Sequence, residues 1–190
     1  MINTTTKQEE FIMEIFAIVL IAIVAIVAIW AIATTNGFKV AKVKIDEARS
    51  GIEVALTKRY DLLTKLLDVA KGYAKHEKEM FAEVINLRKG MSVGEMNEAV
   101  KKMDEMAKQI NFTAEAYPEL RSSEVFAQLQ KGIFDAEEHL QAARRVYNSN
   151  VSHYNASIVK FPASLLAGGY TPEQFFEAEP SKREDVKMSF

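Results

Sequence analysis

Two hydrophobic patterns divide this chain. Residues 15–33 are apolar at every position, with no charge, amide, hydroxyl, proline or glycine, whereas beyond Phe38 apolar residues recur only at every third or fourth position. The first pattern predicts a helix without a wet face. At ~1.5 Å per residue it is about 28 Å long, close to the ~30 Å hydrocarbon thickness of a bilayer. Twelve of its nineteen residues are Ile, Val, Leu or Phe, which at roughly 0.3–0.6 kcal/mol each favours insertion by about 5 kcal/mol. Ile15, Phe16, Leu20, Ile26, Trp30 and Ile32 mark this membrane anchor. Glu14 snorkels at its edge, and Phe11, Trp30 and Phe38 fall where aromatic rings favour the headgroup region. A core helix would keep one face for water, and this one has none. A cleaved signal peptide is the nearer rival. Ala31, Ile32 and Ala33 match its exit, but Lys7 is followed by Glu9, Glu10 and Glu14 instead of opening a basic start.

The second pattern predicts long amphipathic helices. From Phe38 to Arg88 an apolar stripe runs through Ile45, Ala48, Ile52, Leu56, Leu63, Leu67, Ala70, Tyr73, Phe81, Val84 and Leu87, closed by a basic turn and the glycine stop Gly90. Gly51 and Gly72 interrupt it as points of bending or close packing. Ser92 with Glu95 three residues later is a capping-box signature, so a second helix begins there. Its stripe is Met96, Val100, Met103, Ala107, Ile110, Ala114 and Tyr117, until Pro118 ends it. A third helix, roughly 58 Å long, runs from Ser122 or Ser123 to about Phe161. Its stripe is Phe126, Leu129, Ile133, Ala136, Leu140, Ala143, Tyr147, Val151, Tyr154, Ile158 and Phe161, with one stutter after Tyr147. A loop over Leu165–Tyr170 and a short helix capped by Thr171, with Pro172 at its first position, precede a charged tail. Nothing reads as a strand.

Helices apolar on one side bury that side only against each other. The expected fold class is therefore all-α: a single N-terminal transmembrane helix followed by an elongated antiparallel bundle of three to four long helices. The divisions are a short segment 1–14, the span 15–33, the bundle 38–178 and the tail 179–190. Thr34 to Gly37 form either a hinge or a helical passage. Lys7 alone precedes the span while Lys39, Lys42, Lys44 and Arg49 follow it, which places the N-terminus outside and the bundle in the cytoplasm at the cell membrane. Lys and Arg number 24 against 26 Asp and Glu, a net charge of −2. That balance lacks the concentrated basic face of a nucleic-acid binder. The absence of cysteine excludes disulfides, thiolate metal sites and a cysteine nucleophile.

Several residue groups carry a family resemblance. They are Arg59, Tyr60, Asp61 and Leu62; Gly72, Tyr73, Ala74, His76 and Glu77; and Ala116, Tyr117, Pro118, Glu119 and Leu120. Ala143, Arg144, Arg145, Tyr147 and Asn148 follow, then Tyr154 and Asn155, Phe161 with Pro162, Phe175, Phe176, Glu177 and Ala178, and the closing Phe190. In this order and over more than one hundred residues the chain resembles the LemA family. The resemblance implies a membrane-anchored helical bundle of poorly defined role, sometimes encoded beside membrane proteases, so a membrane-protein partner such as a protease enters as an implied one. Thr64 stands where that family has a proline, which implies a straighter helix here.

Candidate chemistry is sparse. His76 lies near Glu77, Glu79 and Glu83, and Asp135 precedes His139 by one helical turn. A carboxylate-bridged di-iron bundle needs Glu three residues before its histidines, where this chain has Tyr73, Ala136 and Asn150. Met80 replaces the second histidine of the zinc-protease pattern. Neither a serine elbow nor a phosphate-cradling glycine loop occurs. Arg59, Arg144 and Arg145 read as a solvated face with ordinary ion pairs in preference to an anion clamp. Tyr60, Tyr73, Tyr117, Tyr147 and Tyr154 read as core tyrosines with tethered hydroxyls. The expectation is a non-enzymatic scaffold without cofactor that self-associates or recruits partners. A pilin-like filament subunit, suggested by Phe11 to Trp30 with its early Glu14, and a metal-binding bundle are the alternatives.

Overall fold

The computed structural model describes residues 2–73, 85 and 87–176, with side chains from Phe11 onward. Its elements are α1 (Ile2–Tyr73), α2 (Val93–Ala116), a single turn α3 (Pro118–Arg121), α4 (Glu124–Val159) and a 3-10 turn over Ala163–Leu166. Every regular element among the described residues is helical. α1 passes without a break through Thr34–Gly37, and equally through Thr64, whose hydroxyl donates back to the Tyr60 carbonyl at 2.9 Å. α1 and α4 both contribute to two compact units: Met1–Lys42 with Tyr154–Pro172, and Val43–His153 with Glu173–Phe190.

In the larger unit the predicted stripes become the core. Ile45, Ile52, Leu56 and Leu63 of α1, Met96, Met103 and Ile110 of α2, and Leu140, Tyr147 and Val151 of α4 are almost fully buried. Contacts between helices set their directions. As α1 rises from Lys44 to Arg59 and Leu62, its α4 neighbours fall from Asn150 to Glu137 and Gly132. α2 likewise meets α4 at Asp104 and Asn111, against Glu137 and Gln130. α4 therefore runs antiparallel to both α1 and α2. Gly132 makes the approach close, since a β-carbon there would sit 3.3 Å from a Leu62 methyl.

Three expected boundaries differ. The helix read from Phe38 to Arg88 does not continue to Arg88. Ile85, Leu87 and Arg88 are non-helical, and the Gly90 N–H donates to the Glu53 carboxylate at 2.9 Å. A straight helix would carry residue 88 about 50 Å past residue 53, whereas Leu87 to Gly90 lie beside Glu53. The reason is burial: Ile85 and Met91 are covered, while Gly72 and Tyr73 at the end of α1 are exposed. Gly90 serves a turn, at φ 77° where a side chain would be strained, and does not end a helix. Phe81 and Val84 lie outside the described residues. α4 ends at Val159 and Phe161 leaves the stripe for solvent. Thr171 to Phe176 form no helix, because buried side chains of α4 take their backbone groups.

The start of α2 follows its signature. The Ser92 hydroxyl accepts from the Glu95 N–H at 3.2 Å, and the Ser92 N–H donates to the Glu95 carboxylate at 2.7 Å. These bonds, with Arg88 beside the carboxylate, hold Glu95 below its ordinary value of 4.5. A carboxylate with a lowered folded value stabilises the fold above its unfolded value and loses that contribution as pH falls through the folded one. Ser92→Ala is expected to cost about 1 kcal/mol. In chemical denaturation followed by circular dichroism, Glu95→Gln should lose less stability than the wild-type chain below pH 4.5.

Candidate functional site

A charged side chain occupies the core stripe of two helices. Between Leu56 and Leu63 of α1 the inward position belongs to Arg59, 6% exposed, and between Leu140 and Tyr147 of α4 it belongs to Arg144, 7% exposed. Arg59 is bound by both neighbouring helices. Its Nη2 pairs with Asp104 of α2, and its Nε lies 3.2 Å from Oε2 of Glu137 of α4, a charge contact without the alignment of a hydrogen bond. One cation thus ties three helices at one level. Arg144 instead lays its guanidinium over the Phe176 ring, 4.8 Å from the centroid, a cation–π contact strengthened by desolvation. The expected solvated arginine face is corrected for both residues, and only Arg145 is exposed. The signal for this was present: a stripe read at strict spacing leaves a vacant step at Arg59 and places Arg144 as squarely inward as Ala143.

Around Arg144 a strap is fastened to α4. The Asn148 side chain accepts from the Phe176 N–H at 2.8 Å and donates to the Phe176 carbonyl at 3.0 Å. Tyr147 donates to the Gln174 carbonyl at 3.1 Å. Arg49 of α1 lies 3.8 Å from Glu173. Burial works against the charge of Arg49, but the Tyr147 hydroxyl, Asp46 and Glu173 outweigh it and raise its guanidinium above its ordinary value. Buried carbonyls and N–H groups outside a helix are costly unless paired, and these residues supply the pairs. In the smaller unit Tyr154 does the same for Thr171, at 3.1 Å, and Tyr170 meets Phe38 edge-on with centroids 5.0 Å apart.

The remaining candidates are dispersed. Tyr60, Tyr117 and Asn155 are half-buried, while Tyr73, Pro118, Phe161, Pro162 and Phe175 are exposed. The peptide bond before Pro162 is cis. Asp61 lines a cavity of about 630 Å³ with Lys65, Leu87 and Arg88. His76 and Glu77 lie outside the described residues. Among the described residues no three His, Asp or Glu side chains converge, and His139 and His153 are exposed. Of the anchor positions, Ile15, Phe16, Leu20, Ile26 and Ile32 are exposed on a helix that is a candidate membrane span by length and composition, and Trp30 is half-buried.

The sequence profile of the LemA family matches residues 48–190. Protein LemA of Metamycoplasma hominis is 27% identical over 153 residues, covering 77% of this chain and 70% of the relative. Magnetosome protein MamQ of Magnetospirillum gryphiswaldense and magnetosome protein MamQ 2 of Paramagnetospirillum magneticum are each 21% identical over 178 residues, covering 77% of this chain. The chain spans 65% of the length of each magnetosome protein.

Removing Arg59 leaves two carboxylates facing one another across the bundle. Breaking a buried pair costs about 3–5 kcal/mol. Because Asp104 and Glu137 keep 27% of their side-chain surface in water, the lower end, about 3 kcal/mol, is expected for Arg59→Met in denaturant titration. Replacing all three by apolar residues should recover most of it. Asn148→Ala orphans both backbone groups of Phe176, at about 1–3 kcal/mol. Limited proteolysis should then cut near 173–176 faster, with helical circular dichroism unchanged.

Proposed function

The chain belongs to the LemA family, and from that membership we propose that it is a non-enzymatic scaffold, anchored in the cell membrane by residues 15–33, that self-associates or recruits partner proteins. The single observation that carries this reading is α1 itself. From Phe11 to Ile29 every side chain is exposed and nearly all are apolar, and the same helix continues into the cores of both units. A water-soluble chain rarely leaves so long an apolar surface uncovered. The anchor and the bundle are one piece of secondary structure.

The family motif supports the non-enzymatic half of the reading. Arg59, Arg144, Tyr147, Asn148, Tyr154 and Phe176 are spent on packing helices and fastening the strap. None is held in a cleft beside a second reactive group, as an acid–base or nucleophilic pair would be. Partner binding then falls to exposed apolar side chains of the larger unit, among them Phe112 and Phe134. The excess of Lys39, Lys42, Lys44 and Arg49 after the span favours a cytoplasmic bundle, with a membrane protein, such as a protease, as one kind of partner.

Cross-linking of the full chain in native membranes, with identification of the joined peptides, tests the scaffold. Intermolecular links through the bundle are expected, and exclusively intramolecular links overturn the proposal. The anchor has its own measurement. The chain should stay in the membrane pellet through an alkaline wash, whereas Ile21→Arg with Val24→Arg, at about 3 kcal/mol each, offsets the insertion energy and should move it to the supernatant.

A further inference from the structure

Among the described residues, the side chains of the span stay exposed until its last turn. Residues 11–29 are exposed throughout, but Trp30, Ala31, Thr34 and Thr35 are half-buried and Phe38 and Ala41 are buried. Within this unit the chain packed on α1 is Tyr154–Pro172, joined to it by the Phe38–Tyr170 contact. The loop after α4 therefore lies beside the end of the apolar run.

That loop is built unlike an aqueous turn. No charged residue occurs from Phe161 to Pro172. The outward side chains include Phe161, 76% exposed, and Leu165, 73% exposed. Four of its backbone N–H groups are paired in successive turns: Ser164 N–H to the Lys160 carbonyl at 2.9 Å, Leu165 to Pro162 at 3.1 Å, Ala167 to Ser164 at 3.2 Å and Tyr170 to Ala167 at 2.9 Å. The first of these closes one turn over Lys160–Ser164 that leads into the 3-10 turn, and Phe161 and Leu165 are both exposed along it. Backbone pairing of this kind lowers the cost of leaving water. Lys160 precedes the apolar segment and Lys39 follows the span, and basic residues flanking an apolar surface suit anionic lipid headgroups.

We propose that Phe161–Tyr170 is a second membrane contact, with Phe161 and Leu165 inserted into the glycerophospholipid layer beside the transmembrane helix. The loop wedges between lipids and fixes how α1 leaves the bilayer, because Tyr170 and Phe38 lock it to the helix. This inference rests on the anchoring by residues 15–33 proposed above.

Trp30 is the chain's one tryptophan, so Trp30→Phe provides a silent background. Into it go Phe161→Trp, Leu165→Trp or, within the span, Ile23→Trp, each in the full chain reconstituted in phosphatidylcholine–phosphatidylglycerol vesicles. Lipids brominated at the headgroup end or the tail end of the acyl chain report depth, and iodide reports water. For the two loop probes the expected result is emission shifted to shorter wavelength, quenched by headgroup-end bromine and indifferent to iodide. The Ile23→Trp probe should be quenched by tail-end bromine. If Ile23→Trp is quenched by lipid while both loop probes are quenched by iodide, the loop inference falls and the anchor stands. Blue-shifted loop emission that no brominated lipid quenches also overturns it, in favour of a second protein copy over the patch. An Ile23→Trp probe that lipid does not quench removes the anchor and the loop contact together.

Discussion

Burial of one-sided helices against each other is the constraint from which the rest follows. Neither α1 beyond Phe38 nor α4 has enough apolar surface to be stable alone in water. Each has a single stripe of the kind that drives packing, and the two stripes meet antiparallel with α2 completing the enclosure. A stripe of uniform apolar residues would leave register open, since one heptad resembles the next. Arg59 removes that freedom. Its charge is tolerable in the core only where Asp104 and Glu137 arrive together, so a one-turn slip of either helix would strand a buried cation. Such a device contributes specificity more than stability.

The same logic explains the strap. Residues 173–176 cross α4 without secondary structure of their own, and their backbone groups would be unpaired if the chain lay on a purely apolar surface. Tyr147 and Asn148 supply donors and acceptors at successive positions of one helix, while Arg144 covers Phe176 from the side. The cluster Ala143–Asn148 that identifies the family is thus a clamp. Its chemistry is hydrogen bonding to backbone, and it points to architecture.

Much of this was legible from residue order, and the exceptions have a common cause. The apolar run needs no partner to be recognised. The Ser92–Glu95 cap is a local device, complete within four residues, and the stripe of α2 is a period read along one helix. What failed depended on distant chain. Gly90 looks like a helix stop because glycine accepts a positive φ in either context; the bond to Glu53, 37 residues away, decides for a turn. Thr171 with Pro172 looks like a helix start, but the carbonyl of Thr171 is claimed by Tyr154 and that of Gln174 by Tyr147. Arg59 and Arg144 suggest a solvated face because charge normally means surface, although their spacing puts both on the inner face.

α1 changes character along its length without changing conformation, and this is where structure and role meet. From Phe11 to Ile29 its side chains are exposed and nearly all apolar, which makes this stretch a candidate membrane span. From Phe38 its inward stripe is buried in the protein. In the intervening turns Trp30, Ala31, Thr34 and Thr35 are half-buried while Ile32 and Ala33 stay exposed, and the uncharged loop of the same unit carries two bare apolar side chains. A helix passing from oil to water must shed its apolar faces one at a time, and a stripe still partly apolar at the interface would otherwise meet water. The proposed second membrane contact would meet that need: Tyr170 packs against Phe38, and the exposed Phe161 and Leu165 add apolar surface beside the span. Flexing of the helix at this point would separate Tyr170 from Phe38 and uncover both, so the aromatic contact stiffens the passage that Thr34–Gly37 would otherwise make soft.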